Sequence, residues 1–190
     1  MTQLGITYHN RRQFDLALEC HNRVLELQQE KPVEDQAVMA SSLLGVANAK
    51  WGQNDLPTAL VNAEKALAVN ESIESGNDVN LAMNLAVLAN IHHKQGEEEK
   101  ALDYSKRALT ILQRCAPSDS LSIASVLNNM GAIQMDLGLF TDAQKSFKRA
   151  LEICEKNLPD GHPKRVTMQK NIQRNEEIIR QHEKHAKVTS

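Results

Sequence analysis

The sequence predicts an all-α protein, and more specifically an α-solenoid built from stacked helical hairpins. The first observation is a period of 42 residues, which separates the alanines Ala17, Ala59, Ala101 and Ala143. The second is that small or nearly small residues recur twelve positions before and seven positions after each alanine. These are Gly5, Ala47, Ala89, Gly131 and Val24, Ala66, Ala108, Ala150. A period of this length is typical of a stacked array of one supersecondary unit.

A helical hairpin explains the pattern within each period. Leu85 and Leu88 belong to an apolar stripe with spacings of i, i+3, i+4 and i+7, which is the buried face of an amphipathic helix. A second stripe follows in the later half of the period, as at Leu109. Where two helices cross about 8 to 10 Å apart, bulky side chains would keep the backbones from closing. The recurring small residues are therefore predicted to mark the helix crossings.

Helices are predicted in order from these stripes and from the residues between them. We expect them near residues 1–10, 14–31, 35–51, 55–73, 78–94, 97–114, 119–137, 140–158 and 163–187. Proline, glycine, serine and aspartate mark the connectors, at Lys31–Pro32 and at 75–78, 116–119 and 159–163. Asp78 and either Ser118 or Asp119 are expected to cap the helices that follow them. Pro163 suits the first turn of the last helix.

The two ends of the array carry separate expectations. The last helix, residues 163–187, keeps the 42-residue register but has no second helix after it, so it is predicted to be a solvating cap. At the start, Met1 falls at the fourth position of a first helix. The first repeat is therefore expected to be incomplete and the chain to be a fragment of a longer protein.

The chain resembles the tetratricopeptide repeat family. The resemblance rests on the three small positions, on Gly96 and Gly138 at hairpin turns, and on segments 126–131, 137–143 and 147–153, which match the repeat best. The 42-residue length is similar to the subtype in kinesin light chains and nephrocystin-like proteins. It implies four helix-turn-helix repeats, at about 1–33, 34–76, 77–118 and 119–160, in one array over 1–190. HEAT and armadillo repeats have similar periods but lack these small positions.

Composition and charge exclude several classes of function. The formal net charge is −2, with an excess of acidic groups before residue 119 and of basic groups after it, and neither part is basic enough to indicate nucleic-acid binding. Cys20, Cys115 and Cys154 are odd in number and lack paired spacing, which indicates a reducing compartment and a cytoplasmic location. A signal peptide and membrane-spanning segments are not apparent, so membrane insertion is not expected.

A ligand groove is predicted along the first helices of the hairpins. Residues off their core stripe should face a shared inner surface, and one column of them runs His9, Trp51, His93 and Met135. The candidate groove residues are Asn48, Trp51, Asn90, His93, Lys94, Asn128, Met135, Lys170 and Arg174. Asparagine amides both donate and accept hydrogen bonds, and Trp51 and Met135 offer apolar contact, a mixture that suits an extended peptide.

The function predicted from this groove is that of a scaffold or adaptor that binds a peptide segment of a partner protein. Resemblance to kinesin light chains implies the same, because groove asparagines there hold peptides that often carry acidic residues. The partner is thus expected to be a protein or peptide, with an acidic segment as one form of it.

Catalysis, cofactors and metal ions are not expected. Adjacent helical residues such as His92 and His93 point about 100° apart and do not share a metal easily, and His92 is expected to be packed. His182 and His185 are three residues apart, not four as in the metalloprotease motif. The cysteines lack a matching histidine, and a phosphate-binding glycine loop does not occur.

Two alternative functions stay open. The incomplete first helix favours a repeat region that senses partners for a larger enzyme or signalling ATPase. It also favours a self-association module, because an incomplete hairpin would leave apolar surface around Leu4, Phe14 and Leu18.

Overall fold

The computed structural model describes residues 2–30, 36–73 and 78–188, and these form α-helices joined by short turns. Strands do not occur in this described part of the chain. The helices are α1 (Thr2–Asn10), α2 (Phe14–Glu30), α3 (Gln36–Gly52), α4 (Leu56–Ser72), α5 (Asp78–Lys94), α6 (Glu98–Cys115), α7 (Leu121–Asp136), α8 (Phe140–Asn157) and α9 (Pro163–Val188). The predicted all-α class and the predicted order of helices are confirmed. The connectors Lys31–Pro32 and 75–77 lie outside the described residues.

The cap predicted before α7 was wrong by one or two positions. Ser120, and not Ser118 or Asp119, has the extended backbone of a cap, and its hydroxyl accepts a hydrogen bond from the N–H of Ser122 at 3.3 Å. The N–H of Ser120 donates to the carbonyl of Pro117 at 2.9 Å. Because that bond closes a turn over residues 117–120, the chain reaches helical geometry two residues later than expected. Pro163 begins α9 as predicted.

The hairpin turns share one backbone conformation at a fixed register. Arg12, Asn54, Gly96 and Gly138 stand 42 residues apart, and all have positive φ, at 59°, 66°, 78° and 74°. Glycine adopts this left-handed conformation without steric cost, whereas a residue with a Cβ atom is disfavoured there. The glycines predicted at hairpin turns are confirmed, and Arg12 takes the same place in the first hairpin.

The chain divides into two compact units, Met1–Gly96 and Glu97–Ser190. In the N-terminal unit, α3 packs against α2 and α4, α1 contacts α2 and α3, and α5 contacts α3 and α4. In the C-terminal unit, α7 packs between α6 and α8, and α9 packs on α8 and α7. The boundary falls in the turn between α5 and α6, inside the third predicted repeat. The division into four repeats over 1–190 stays a prediction.

Small residues let the helices approach closely, as the sequence predicted. The four period alanines and Ala47 are fully buried. A Cβ atom on Gly131 of α7 would lie 2.6 Å from the Phe147 ring of α8, which itself has no exposed surface. A Cβ atom on Gly5 of α1 would lie 2.5 Å from the buried ring of His21 in α2. The aromatic rings therefore occupy space that only a glycine leaves.

The same register positions hold different but complementary pairs in different repeats. His21, Ala63, Ser105 and Phe147 are spaced by 42 residues, as are Gly5, Ala47, Ala89 and Gly131. In the first and fourth repeats these two positions hold an aromatic ring and a glycine. In the second and third repeats they hold a small residue and an alanine. The combined volume of the two side chains at these register positions therefore varies little between repeats, as close packing requires.

Among the described residues, no helix is both long and apolar enough to cross a membrane.

Candidate binding groove

The first helices of the N-terminal unit lie next to one another and carry five of the predicted groove residues. α3 contacts both α1 and α5. Asn48 and Trp51 of α3, and Asn90 and His93 of α5, are half-buried, and Lys94 at the end of α5 is exposed. Partial burial of amides and aromatic rings is typical of a surface that can still make contacts.

A pocket lies where these helices end, and we call it the Trp51 pocket. Its cavity volume is about 360 Å³. It is lined by His9, Arg12, Phe14, Trp51, Gly52 and Lys94. Because the last residues of α1, α3 and α5 meet there, the three helices run in the same direction. The pocket therefore marks one end of the shared face.

Aromatic contacts fix the walls of the Trp51 pocket. The Lys94 ammonium lies 5.1 Å from the centroid of the Trp51 ring, within the range of a cation–π contact. The rings of His9 and Phe14 are tilted against each other, with centroids 5.5 Å apart. Gly52 lies against the Phe14 ring, since a Cβ atom there would stand 2.5 Å from it. These contacts hold the indole and the ammonium in defined positions.

Polar atoms in the Trp51 pocket lack partners. Trp51 Nε1 and His9 Nδ1 are buried, and neither has a hydrogen-bond partner among the residues that the structure describes. A buried polar group without a partner costs about 1 to 3 kcal/mol. Burial holds the pKa of His9 below its usual value of 6.5, so the ring is neutral at neutral pH. Both atoms are covered by the surrounding packing, so the pocket presents the Trp51 ring and not its N–H.

The cations of the Trp51 pocket have no acidic counterpart. Arg12 and Lys94 make no ion pair within residues 2–30, 36–73 and 78–188, and none of the lining residues is aspartate or glutamate. The net positive charge of the pocket contrasts with the acidic excess of the N-terminal part of the chain.

The C-terminal unit carries the remaining predicted residues on α7 and α9. Asn128 is half-buried, and its Oδ1 accepts a hydrogen bond of 2.9 Å from Nδ2 of Asn171. Met135 is half-buried on α7, whereas Lys170 and Arg174 are exposed on α9. Part of the hydrogen-bonding capacity of Asn128 is therefore used to hold α9 in place.

Buried amides hold α9 against α8. Asn175 has no exposed surface, and its Nδ2 donates to the carbonyl of Phe140 at 2.9 Å and to Oε1 of Gln144 at 2.8 Å. Gln144 in turn donates to a carboxylate oxygen of Glu176 at 2.8 Å. These bonds position the last helix, whose register the sequence predicted but whose asparagines it did not single out.

Family models identify the repeat. A model of the tetratricopeptide repeat matches residues 1–72 and 38–114, and a second model of the same repeat matches residues 123–164. The chain belongs to the tetratricopeptide repeat family. The predicted resemblance is thereby confirmed, and this tetratricopeptide repeat protein is a protein–protein interaction module. Its fold is that of a repeat scaffold, a kind that typically carries no catalytic chemistry.

Solved structures share the fold. A candidate kinesin light chain of Podosopora anserina with nearly identical TPR-like repeats superimposes with a TM-score of 0.73 at 17% identity, over 99% of this chain and 89% of that one. BtubC (BKLC) from P. vanneervenii gives a TM-score of 0.68 at 19% identity, over 92% and 65%. The Sgt2 TPR domain from Aspergillus fumigatus gives 0.59 at 14% identity, over 77% and 82%. A search of curated proteins finds no match.

Sequence reasoning missed two residues that line the Trp51 pocket of this tetratricopeptide repeat protein. Arg12 lies in the turn after α1 and Phe14 begins α2, whereas the groove prediction considered only the first helices of the hairpins and the last helix. The sequence signal that was available for Arg12 is its register. It lies 84 residues, or two periods, before Gly96, and therefore occupies the position of a hairpin turn.

The histidines that the sequence set aside have structural contacts in the tetratricopeptide repeat array. His92 is buried, as expected. The ring of His182 on α9 lies 5.0 Å from that of Phe140 on α8. Cys154 is buried, whereas Cys20 is half-buried.

Proposed function

We propose that the face formed by α1, α3 and α5 binds an extended segment of a partner protein, so that the chain acts as a scaffold or adaptor in the cytoplasm. The observation that carries the proposal is the convergence of three parallel first helices on the Trp51 pocket. A parallel array of helices repeats the same side-chain positions at regular intervals. It therefore suits a ligand with a regular backbone.

The chemistry of this face supports a peptide. Asn48 and Asn90 occupy the same register position on α3 and α5, and an asparagine amide carries both donors and an acceptor, as a peptide backbone does. Trp51 lies one turn further along α3 and supplies a large apolar surface. Amides that hold the backbone beside an aromatic anchor are typical of peptide-binding sites.

The helix spacing and the free energy of each contact limit the affinity that such a face can reach. Neighbouring first helices are spaced by about 10 Å, so at ~3.3 Å per extended residue each one faces about three residues of the ligand. Each amide hydrogen bond contributes about 0.5 to 1.5 kcal/mol. A few of them with one apolar anchor approach about −8 kcal/mol, which is micromolar binding. The proposed scaffold binds weakly through this face and gains affinity from a second contact.

A double substitution tests the proposed groove. The probe is a peptide selected by display against the full chain. Replacing Asn48 and Asn90 together with alanine is expected to weaken its binding at least tenfold, since about 1.4 kcal/mol is a factor of ten and several hydrogen bonds are lost. Binding is measured by calorimetry and stability by thermal unfolding.

The matched control for the groove is Asn22→Ala, on the exposed surface of α2. It should leave both affinity and thermal stability unchanged. Unchanged affinity in the double variant, with the melting temperature preserved, would remove the groove from the proposal.

Self-association is a second candidate function, supported by exposed apolar residues on α1. Leu4 and Ile6 are 48% and 43% exposed, on a helix of nine residues. Leu4 and Ile6 are two positions apart, so they point about 200° apart around the helix and expose apolar surface on two different sides. A second copy of the chain would cover the side that carries Ile6 through an isologous contact.

A further inference from the structure

The Trp51 pocket is positively charged without an internal counter-ion. Arg12 and Lys94 come from separate elements, the first hairpin turn and the end of α5, and both line the same cavity. Neither makes an ion pair with any residue that the structure describes, and the lining contains no acidic side chain. Surface cations are normally solvated singly, so two of them around one concave site favour an anionic ligand.

The placement of the two cations points to the same class of ligand. Arg12 and Lys94 line one concave cavity from two different elements, so oxygen atoms of one anion can accept from the guanidinium and the ammonium at the same time. A neutral ligand would leave both cations without an opposite charge.

The charge and size of the Trp51 pocket favour a phosphate monoester over a carboxylate. A carboxylate would neutralise one of the two cations, whereas a phosphate monoester carries about −1.5 to −2 charges at pH 7 and accepts through three oxygens. The cavity of about 360 Å³ exceeds what a carboxylate fills, and Phe14 and Trp51 give it aromatic walls. An aryl ring that carries a phosphate uses both the walls and the cations.

We propose that the Trp51 pocket binds a phosphorylated aromatic side chain, that is, a phosphotyrosine of the partner segment. The proposal rests on the proposed function for the location of that segment. Arg12 binds the phosphate oxygens through its guanidinium, and Lys94, which lies over the Trp51 ring, adds the second positive charge. Phosphorylation of the partner then strengthens binding at this end of the groove.

The helix dipole gives a competing explanation for one of the two cations in the pocket. Lys94 ends α5, where a cation interacts favourably with the helix dipole. Arg12 lies in a turn between α1 and α2, where the dipoles of the two helices oppose each other, and its left-handed backbone would suit glycine better. The dipole explanation therefore accounts for Lys94 but not for Arg12, and it predicts a loss of stability without a loss of ligand binding.

Tryptophan fluorescence tests the pocket directly, because Trp51 is the only tryptophan in the chain. The full chain is titrated with phenyl phosphate, and the Trp51 emission is expected to change saturably. Calorimetry on the same pair gives a second readout. Benzoate should bind at least tenfold more weakly than phenyl phosphate, and a peptide with phosphotyrosine at least tenfold more tightly than the same peptide with tyrosine.

Variants separate the pocket from general charge effects. Arg12→Asn keeps a residue suited to the turn, since Asn54 holds the equivalent position in the second hairpin, and Lys94→Gln removes the other cation. Each is expected to weaken phenyl phosphate binding at least tenfold. The matched control, Arg11→Gln, removes an exposed cation that does not line the pocket and should leave binding unchanged. Circular dichroism confirms that each variant is folded.

Three outcomes would overturn the proposal. They are the absence of any saturable change or heat with phenyl phosphate, equal affinity in Arg12→Asn, Lys94→Gln and Arg11→Gln, or binding of benzoate as tight as that of phenyl phosphate. The Asn48→Ala/Asn90→Ala variant distinguishes this proposal from the groove. If it binds phenyl phosphate normally and the selected peptide equally well, the groove fails and the pocket stands. If it loses the peptide while phenyl phosphate never binds, the pocket fails and the groove stands.

Discussion

A buried histidine ring fills the space that Gly5 leaves at the first helix crossing. His21 is 1% exposed, its ring lies against Gly5 and Gly45, and its Nδ1 has no hydrogen-bond partner among the described residues. Burial, and then repulsion from His9, lower the pKa of His21 below 6.5. Because a charged ring would have to be desolvated there, the folded protein keeps this histidine neutral.

The lowered pKa of His21 predicts that stability falls in mild acid. Below pH 6.5 the unfolded chain binds a proton that the folded chain does not, so the free energy of unfolding decreases as the pH falls through this value. The slope for one proton is at most about 1.4 kcal/mol per pH unit. Urea unfolding between about pH 7.5 and pH 5.5 measures it, in the range where histidine titrates.

The matched variant for this prediction is His21→Phe, because Phe147 occupies the equivalent position opposite Gly131. It should keep the packing and reduce the acid slope, leaving the contribution of His9. An equal slope in the variant and the natural chain would assign the effect to other groups.

Individual residues also show the limit of what the sequence predicts. The period located the buried alanines and the turn glycines, because steric demand repeats with the fold. It did not locate Arg12 or Phe14 in the Trp51 pocket, because their positions depend on the turn conformation and on the ring contact with Gly52. Whether Asn48 and Asn90 hold a ligand stays a prediction.

Pairs of helices are matched at their crossings, and this gives a prediction at the scale of the element. Gly131→Ala is expected to destabilise the protein by about 1 to 3 kcal/mol, because the new methyl group meets the Phe147 ring. In a Phe147→Ala background, which itself costs about 3 to 5 kcal/mol, the same change should cost much less. A double-mutant cycle by urea unfolding measures the coupling.

The control for the crossing is Ala132→Ser, at the adjacent half-buried position on α7. It should show no coupling to Phe147→Ala. Equal costs of Gly131→Ala in both backgrounds would mean that α7 and α8 do not meet at this pair.

Helix ends were predicted less well than helix interiors. The apolar stripe of α7 fixed its existence, but serine and aspartate at 118–120 all suit a cap. The hydrogen bond from Ser120 to Pro117 decided among them, and that bond belongs to the turn and not to the helix. Residue propensity therefore limits the cap to two or three candidate positions, and the hydrogen bonds of the connecting turn determine which of them is the cap.

At the scale of the whole molecule, self-association through α1 predicts a mass that rises with concentration. Sedimentation over a hundredfold range of protein concentration measures it, and Ile6→Glu should hold the chain as a monomer because it places a charge on the exposed side that the second copy would cover. Leu139→Glu, on an exposed residue of the C-terminal unit, is the control and should associate like the natural chain. A monomer at every concentration would exclude this candidate.

The fold was predictable at this scale because a single period of 42 residues runs through the sequence and every repeat supports the same interpretation. The ligand was not, because contacts to a partner are not needed for the repeats to stack and therefore leave no periodic signal. Trp51 occurs once and Arg12 has no arginine in register in the other repeats, so no periodic signal predicts that the two line one pocket.

Complementary size at Gly5 with His21 and at Gly131 with Phe147 also restricts how such a gene can be rearranged. Shuffling that joins a leading helix of one repeat to the trailing helix of another would set alanine against a ring, or glycine against a methyl group. The first product would be overfilled and the second would contain a void. Exchange of intact hairpins keeps these pairs together, but His21 also lies against Gly45 of the next hairpin, where the other repeats carry Val87 and Asn129. The first two hairpins therefore have to be moved as one module by recombination or by an engineer.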